Sequence, residues 1–321
     1  MTAPPAPDLV FIGNLIVDDV VHADGRTRMG EAGGAVFYAA LGAGLWGVRS
    51  GVVSVAGRDY PAESLAALQS RDVDLTGIRR LEGAGLRTWL LYESAGRRII
   101  HQLGRPSHAD VSPGPRDIPA AFESARIFHL SPMPFKIQRE LVGHLGKRPG
   151  IFVSVDPHEP VREENLAMWR EVLEGVDAFF PSEDELLLEG VKRDPRPVLR
   201  RLGTGRLELV AYKRGAHGGI LFQRGTDRFT EWPAIEGPTV DGTGAGDAFA
   251  GGFLAARAVG VDVDRELEQG AVSASFAVED WGARGLLTAT PERAKERRQG
   301  LFGTRAGGGL RGQPVSETGP S

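Results

Sequence analysis

Short apolar runs alternate with longer stretches of helical periodicity along most of the chain. DLVFIG (8–13) is an apolar run closing on glycine, the pattern of a strand buried on both faces. GAVFYAALGAGLWG (34–47) predicts a helix, GVVSVAG (51–57) a strand, and YPAESLAALQS (60–70) a second helix. ARIFHLS (125–131) predicts a strand followed by a helix near 134–146, and IFVSVDP (151–157) a strand followed by a helix near 161–174. DAFFPS (177–182) and LELVAYKRG (207–215) are further strands with helical segments between them. Strand and helix in strict alternation predict an α/β fold, a doubly wound and mostly parallel sheet flanked by helices.

Two segments break the alternation. Residues 16–34 read as strand, turn at Asp24-Gly25, and strand, and residues 87–103 read as two extended runs around a turn at Ser94-Ala95-Gly96. Together they predict a small second sheet, with its strands from about 16–33 and 87–103, projecting as a lid over a site. The charged run ERAKERR (292–298) predicts a solvated terminal helix. The ends, 1–7 and 303–321, are rich in Pro, Gly and polar residues and are expected to be disordered, leaving a single domain over 8–300.

Composition narrows the function. Of 321 residues, 41% are hydrophobic and 25% charged, ordinary for a globular protein, and the net charge of -4 argues against a nucleic-acid binder. With no cysteine, disulfides, thiolate metal sites and thiol catalysis are excluded. No apolar run reaches the roughly 18–20 residues of a membrane span, and the N-terminus lacks the pattern of a signal peptide, so the expected location is cytoplasmic.

The chemistry concentrates in TVDGTGAGDAFAGGFLAA (239–256). A helix is expected to begin near Gly244. The first turn of a helix carries unpaired N–H groups and a partial positive charge, and residues without bulk let an anion approach them. Gly244, Ala245 and Gly246 therefore suit an anion hole, and Asp247 would sit beside the anion. An aspartate there is favoured by the helix dipole alone, by roughly 0.3–1 kcal/mol. A carboxylate next to an anion also makes sense as a base, taking the proton of a hydroxyl that attacks phosphorus.

Asp241-Gly242-Thr243-Gly244-Ala245-Gly246-Asp247-Ala248-Phe249 resembles the C-terminal signature of the ribokinase-like (PfkB) carbohydrate kinases. Gly33-Gly34 before a helix resembles the N-terminal signature, and Gly13 with Asp18 resembles the first strand and a sugar-contacting aspartate. Pro181-Ser182-Glu183-Asp184-Glu185 resembles an Asn-x-x-Glu motif that helps place magnesium and phosphate, and Lys213-Arg214-Gly215-Ala216-His217-Gly218 resembles the nucleotide-side turn. The resemblance spans residues 8 to about 290 and implies a doubly wound body with a β lid. It implies ATP and Mg2+, with Asp247 as base and 244–246 as anion hole. It implies an acceptor held by Asp18, Gly33, Gly34 and Tyr38, and ATP held by Ser182, Glu185, Lys213, Gly215, Gly218 and Thr243. Glu185 would act on magnesium through water. Asp241, with Thr243, lies where some members bind a monovalent cation such as K+ through nearby main-chain oxygens. Two positions depart from the pattern: Tyr38 stands where the family usually has Asn, and Ser182 replaces the Asn of Asn-x-x-Glu. An aromatic at 38 implies a reshaped or more apolar acceptor pocket.

Other features read more plainly. Gly42-Ala43-Gly44-Leu45-Trp46-Gly47 matches a dinucleotide pattern, but a helix precedes it and a strand follows, the reverse of what that mechanism needs. The seven histidines show no metal-ligand spacing. Asp156 ends a strand at the sheet's C-terminal edge, where ligands bind in such folds. Arg97-Arg98, in the expected lid, read as a solvated turn. The expected function is ATP-dependent phosphorylation of a hydroxymethyl group on a sugar or related polyol. A nucleoside kinase on the same fold is the nearer alternative, and a non-catalytic sugar- or nucleotide-binding protein the more distant. The partners are small molecules, with no nucleic acid or membrane, and a homodimer through the lid edge is possible on this pattern.

Overall fold

The computed structural model describes residues 6–93 and 96–303. The expected tails and the turn at 94–96 fall outside the described residues except for Ala6, Pro7, Gly96 and Gly303. Pro7 is buried rather than part of a loose leader, against Gly51.

The N-terminal part runs β1 (Leu9–Ile12), β2 (Ile16–Val21), β3 (Thr27–Gly33), α1 (Ala35–Gly44), β4 (Ser50–Ala56), α2 (Ala62–Gln69), β5 (Val73–Arg80), β6 (Arg87–Glu93) and β7 (Gly96–His101). The middle follows as β8 (Ile127–Leu130), α3 (Phe135–Leu145), β9 (Phe152–Val155), α4 (Leu166–Leu173), β10 (Ala178–Phe179) and α5 (Pro195–Leu202). The remainder is β11 (Leu209–Lys213), β12 (Gly219–Gln223), β13 (Arg228–Trp232), α6 (Ala245–Ala258), α7 (Val263–Val278), α8 (Arg284–Thr288) and α9 (Pro291–Phe302).

Among the described residues, nine strands form one sheet in the order β13-β12-β11-β10-β9-β8-β1-β4-β5. It is parallel from β5 to β11, and β12 and β13 add to one edge antiparallel. The apolar runs are buried on both faces, as parallel strands between helices must be. In β1, Leu9 and Phe11 join the core shared with α1, α6 and α7, while Val10 and Ile12 join the core shared with α3, α4 and α5. Each such fully buried side chain contributes roughly 1.5–3 kcal/mol. The run of small residues after Asp247 has a packing reason as well. A Cβ at Gly251 would overlap the backbone of Ala39, and one at Gly42 would come 2.5 Å from the carbonyl of Ala248, so α1 and α6 cross in close backbone contact.

β2, β3, β6 and β7 form the second sheet, in the order β3-β2-β6-β7. Its hairpins are antiparallel, and β2 joins β6 in parallel. Asp19 stitches it together. Its buried carboxylate accepts from Gly30 N (2.8 Å), Arg87 Nε (2.8 Å) and Nη2 (2.7 Å), and Gln102 Nε2 (2.6 Å). Burial opposes the charge, but these donors outweigh it and hold Asp19 below the usual carboxylate range.

Candidate active site

The C-terminal ends of the central strands meet the N-terminus of α6. Gly244 caps that helix at φ 74, in the left-handed region, and Asp247 lies in its first turn. Ala245 and Gly246 are the first helical residues, so their N–H groups are among those a helix start leaves without intrahelical partners. Gly244 is tied down by a second constraint. A Cβ there would fall within the ring of Tyr38, which is 2% exposed. Tyr38 therefore does not offer an open pocket wall. It is a buried prop beneath the glycine loop.

Lys213 is the last residue of β11, and Asp156 follows β9 directly. Lys213 Nζ donates to Asp156 Oδ2 at 2.6 Å. A Cβ at Gly246 would lie 3.1 Å from that same Nζ, so the ammonium stands beside the expected anion hole. Burial disfavours the charge on Lys213, but the neighbouring Asp156, Glu185 and Asp247 outweigh it and keep it an ammonium. Ser182 is bridged to Lys213, and the Ser182 N–H donates to Glu185 Oε2 at 2.8 Å, a short turn that turns the glutamate toward the same cluster. Gly215 (φ 51) and Gly218 (φ 71) bracket the turn after Lys213 in backbone conformations that favour glycine.

A second group gathers on the side of the small sheet. Asp18, on β2, accepts from Thr88 Oγ1 of β6 at 2.5 Å. A Cβ at Gly33 would overlap the Asp18 carboxylate, and Gly34 (φ 97) caps α1. Tyr60 Oη donates to the Gly33 carbonyl at 3.2 Å. Asp18, Gly33 and Gly34 are thus brought together, as the sequence predicts.

The carboxylates suit magnesium. Asp156 Oδ1 is buried without a hydrogen-bond partner, and burial, opposed by Lys213 and aided by nearby Glu185 and Asp247, pushes its carboxyl above the usual range, so that a cation here would be favoured. Such hard oxygens match Mg2+, which is held by one or two carboxylates together with substrate phosphates and water. In keeping with that, no group of three or more His, Cys, Asp or Glu among the described residues is arranged to hold a metal alone. A monovalent cation at Asp241 fits poorly. Asp241 Oδ1 accepts from Thr243 N (2.9 Å), Thr243 Oγ1 (2.7 Å) and Tyr92 Oη (2.7 Å), and Oδ2 accepts from Gly282 N (2.9 Å). Thr243, expected at the nucleotide, directs its hydroxyl to Asp241 instead.

Tyr92 and Trp281 were not singled out by the sequence. Tyr92 stacks on His22 at 4.7 Å, and His22 meets Trp281 at 4.2 Å. The strand alternation of β6 carries the signal: Thr88, Leu90 and Tyr92 share one face, reaching Asp18, the Trp281 cluster and Asp241 in turn. His129 lies in the core, bonded to Ser154 at 3.0 Å. His108 faces His101 and His158 at 5.9 and 4.6 Å, and burial with these neighbours pushes it down to about 3, a neutral ring.

The sequence profile described as pfkB family carbohydrate kinase matches residues 9–289. The chain belongs to this family. It is 33% identical over 281 residues to a cytidine kinase of Thermococcus kodakarensis, covering 86% of this chain and 97% of that one. Among solved structures, the ribokinase of Cryptococcus neoformans in complex with ADP aligns with a TM-score of 0.72 at 18% identity, covering 91% of this chain and 100% of that one. A Burkholderia thailandensis nucleoside kinase in complex with inosine aligns at 0.70 and 17%, covering 92% and 98%. These two likenesses establish the ribokinase-like fold. The pfkB chain is accordingly a sugar or nucleoside kinase.

Proposed function

We propose that this pfkB kinase transfers the γ-phosphoryl group of ATP to the hydroxymethyl group of a nucleoside. The observation that carries the transfer chemistry is the position of Lys213 and Asp247 at one helix start, an ammonium beside Gly246 and a carboxylate in the same first turn. Asp247 takes the proton of the acceptor hydroxyl as its oxygen bonds to phosphorus. The bond from phosphorus to the bridging oxygen of ADP breaks, and ADP leaves with that electron pair. The N–H groups of 244–246 and Lys213 hold the phosphoryl oxygens. Such positioned charges and dipoles account for most of the acceleration in this kind of reaction. Mg2+ entering with ATP neutralises phosphate charge, and Asp156 and Glu185 are the residues that would hold it, Glu185 through water.

The acceptor lies at Asp18, Gly33 and Gly34, where a buried carboxylate suits hydroxyl groups. A ribose ring offers these whether it is free or part of a nucleoside; the cytidine kinase relative favours the nucleoside. The small sheet closes over this side as a lid and excludes water that would otherwise hydrolyse ATP. Use of ATP goes with a cytoplasmic location. The exposed Met29, Ile99, Ile100 and Leu103 on and beside the lid support a homodimer through it, which sedimentation would test.

ADP release with ATP and magnesium, across a panel of nucleosides, sugars and polyols, tests the reading. Turnover with nucleosides supports it. Turnover with free sugars alone moves the acceptor to that class. Silence across the panel, with ATP still raising the melting temperature, points to a binding protein.

A further inference from the structure

We propose that Tyr92 takes the place of a monovalent cation at Asp241, so that this kinase holds its glycine loop through a lid strand and works without such an ion. The proposal concerns the same site and rests on the kinase reading only for its rate measurement.

A carboxylate offers about four lone-pair sites. At Asp241 three donors meet Oδ1, the Thr243 N–H and hydroxyl and the Tyr92 hydroxyl, and the Gly282 N–H meets Oδ2. The two N–H groups each present a hydrogen to the oxygens, and the Tyr92 and Thr243 hydroxyls, which also contact each other, supply the rest. A cation at this carboxylate would face those hydrogens, whereas it needs a shell of oxygens.

Tyr92 is built into this position. Its hydroxyl also touches Thr243 Oγ1. Its ring stacks on His22, and His22 packs on Trp281. Arg26 and Arg28 lie over Trp281 at 5.1 and 5.8 Å. The loop that holds Trp281 also supplies the Gly282 N–H to Asp241. Two of the four donors therefore come from one aromatic cluster that joins β2 and β6 to the body. Asp241 and Thr243 lead directly into Gly244, so the lid strand fixes the approach to the anion hole.

Melting of the full-length protein is measured in potassium, sodium and tetramethylammonium chloride at matched ionic strength. Phosphoryl transfer to cytidine, or to whichever acceptor the panel identifies, is measured in the same salts for wild type and Tyr92→Phe. Coupled ligands change each other's affinity by about 5- to 150-fold. The expected result is a wild-type rate that varies less than that lower bound and a melting temperature with no potassium-specific rise. Tyr92→Phe, which keeps the ring and its stacking, should lose rate and regain part of it in potassium. A potassium-specific rise in wild-type melting, or a stimulation above that lower bound, overturns the proposal. Equal rates for Tyr92→Phe and wild type in every salt also overturn it. If no acceptor is found, the kinase reading fails by itself, and the melting comparison still decides whether a cation binds.

Discussion

Lys213 Nζ and Asp156 Oδ2 are 2.6 Å apart, with side chains 12% and 1% exposed. Removing one partner of a buried pair leaves the other charge uncompensated, at a cost of about 3–5 kcal/mol. Asp156→Ala should lower stability by that order in chemical denaturation. Lys213→Met in the same chain should recover part of the loss, because the stranded ammonium is gone. A double variant as unstable as the sum of the two single ones would show that the pair does not act as a unit.

Asp247 is the base we propose, and its removal should affect the chemical step. Asp247→Asn should lower kcat by about 10²- to 10⁴-fold, the usual contribution of a positioned base. KM for ATP should change little, since the anion hole remains. Steady-state kinetics separate the two. A rise in KM at unchanged kcat would make Asp247 a binding residue instead.

The alternation of apolar runs and helices made the body of the fold legible, and β1, β4, β8, β9, β10 and β11, buried on both faces, carried that signal. Three strands were not read. β5 is an edge strand, VDLTGIRR, with too few apolar positions to stand out, and β12 and β13 lie past the last parallel strand, where the alternation stops. The glycine loop was legible because its residue types are dictated by chemistry and by the crossing of α1 and α6. Tyr38 was not, because an aromatic on an apolar helix reads the same whether it lines a pocket or props a loop. Arg71 was equally silent. It donates to the carbonyls of Leu41, Leu286, Leu287 and Ala289, which tie α1 to α8 across more than 200 residues of chain. No local pattern can encode a contact of that separation.

Two buried groups give stability opposite slopes with pH. Burial pushes Glu266 up to about 7 despite Arg257, against an ordinary value of 4.5. Its native pKa is above the unfolded one, so the native state binds more protons between those values and stability falls as pH rises through that window. Burial, with Lys213 nearby, pushes His129 down to about 3 from 6.5. There the unfolded state binds more protons, so stability falls as pH drops below 6.5 and continues to fall toward 3. Between 4.5 and 6.5 the two slopes oppose each other, so melting temperature should fall below 4.5 through His129 and above 6.5 through Glu266, with each pKa unit worth about 1.4 kcal/mol at most. Glu266→Gln should flatten the upper limb and leave the lower one. An unchanged upper limb would remove Glu266 from the account.

Gly244 is constrained twice, by φ 74 and by the ring of Tyr38 against it, and the two constraints can be separated. Gly244→Ala places a side chain in a left-handed conformation, a strain of about 1–3 kcal/mol. It also drives a methyl group into the Tyr38 ring, so either the ring or the loop must move. A displacement of about 1 Å at the anion hole is enough to lower the rate about 10²-fold. Tyr38→Ala alone should destabilise by the roughly 3–5 kcal/mol of a lost core aromatic. In the double variant the overlap is relieved while the backbone strain persists. Its loss should then be smaller than the sum of the single losses, with a coupling of about 0.5–3 kcal/mol. Denaturation of the four proteins measures that coupling. Strict additivity would mean that the glycine is required for its backbone angle alone, and that Tyr38 does not support the loop.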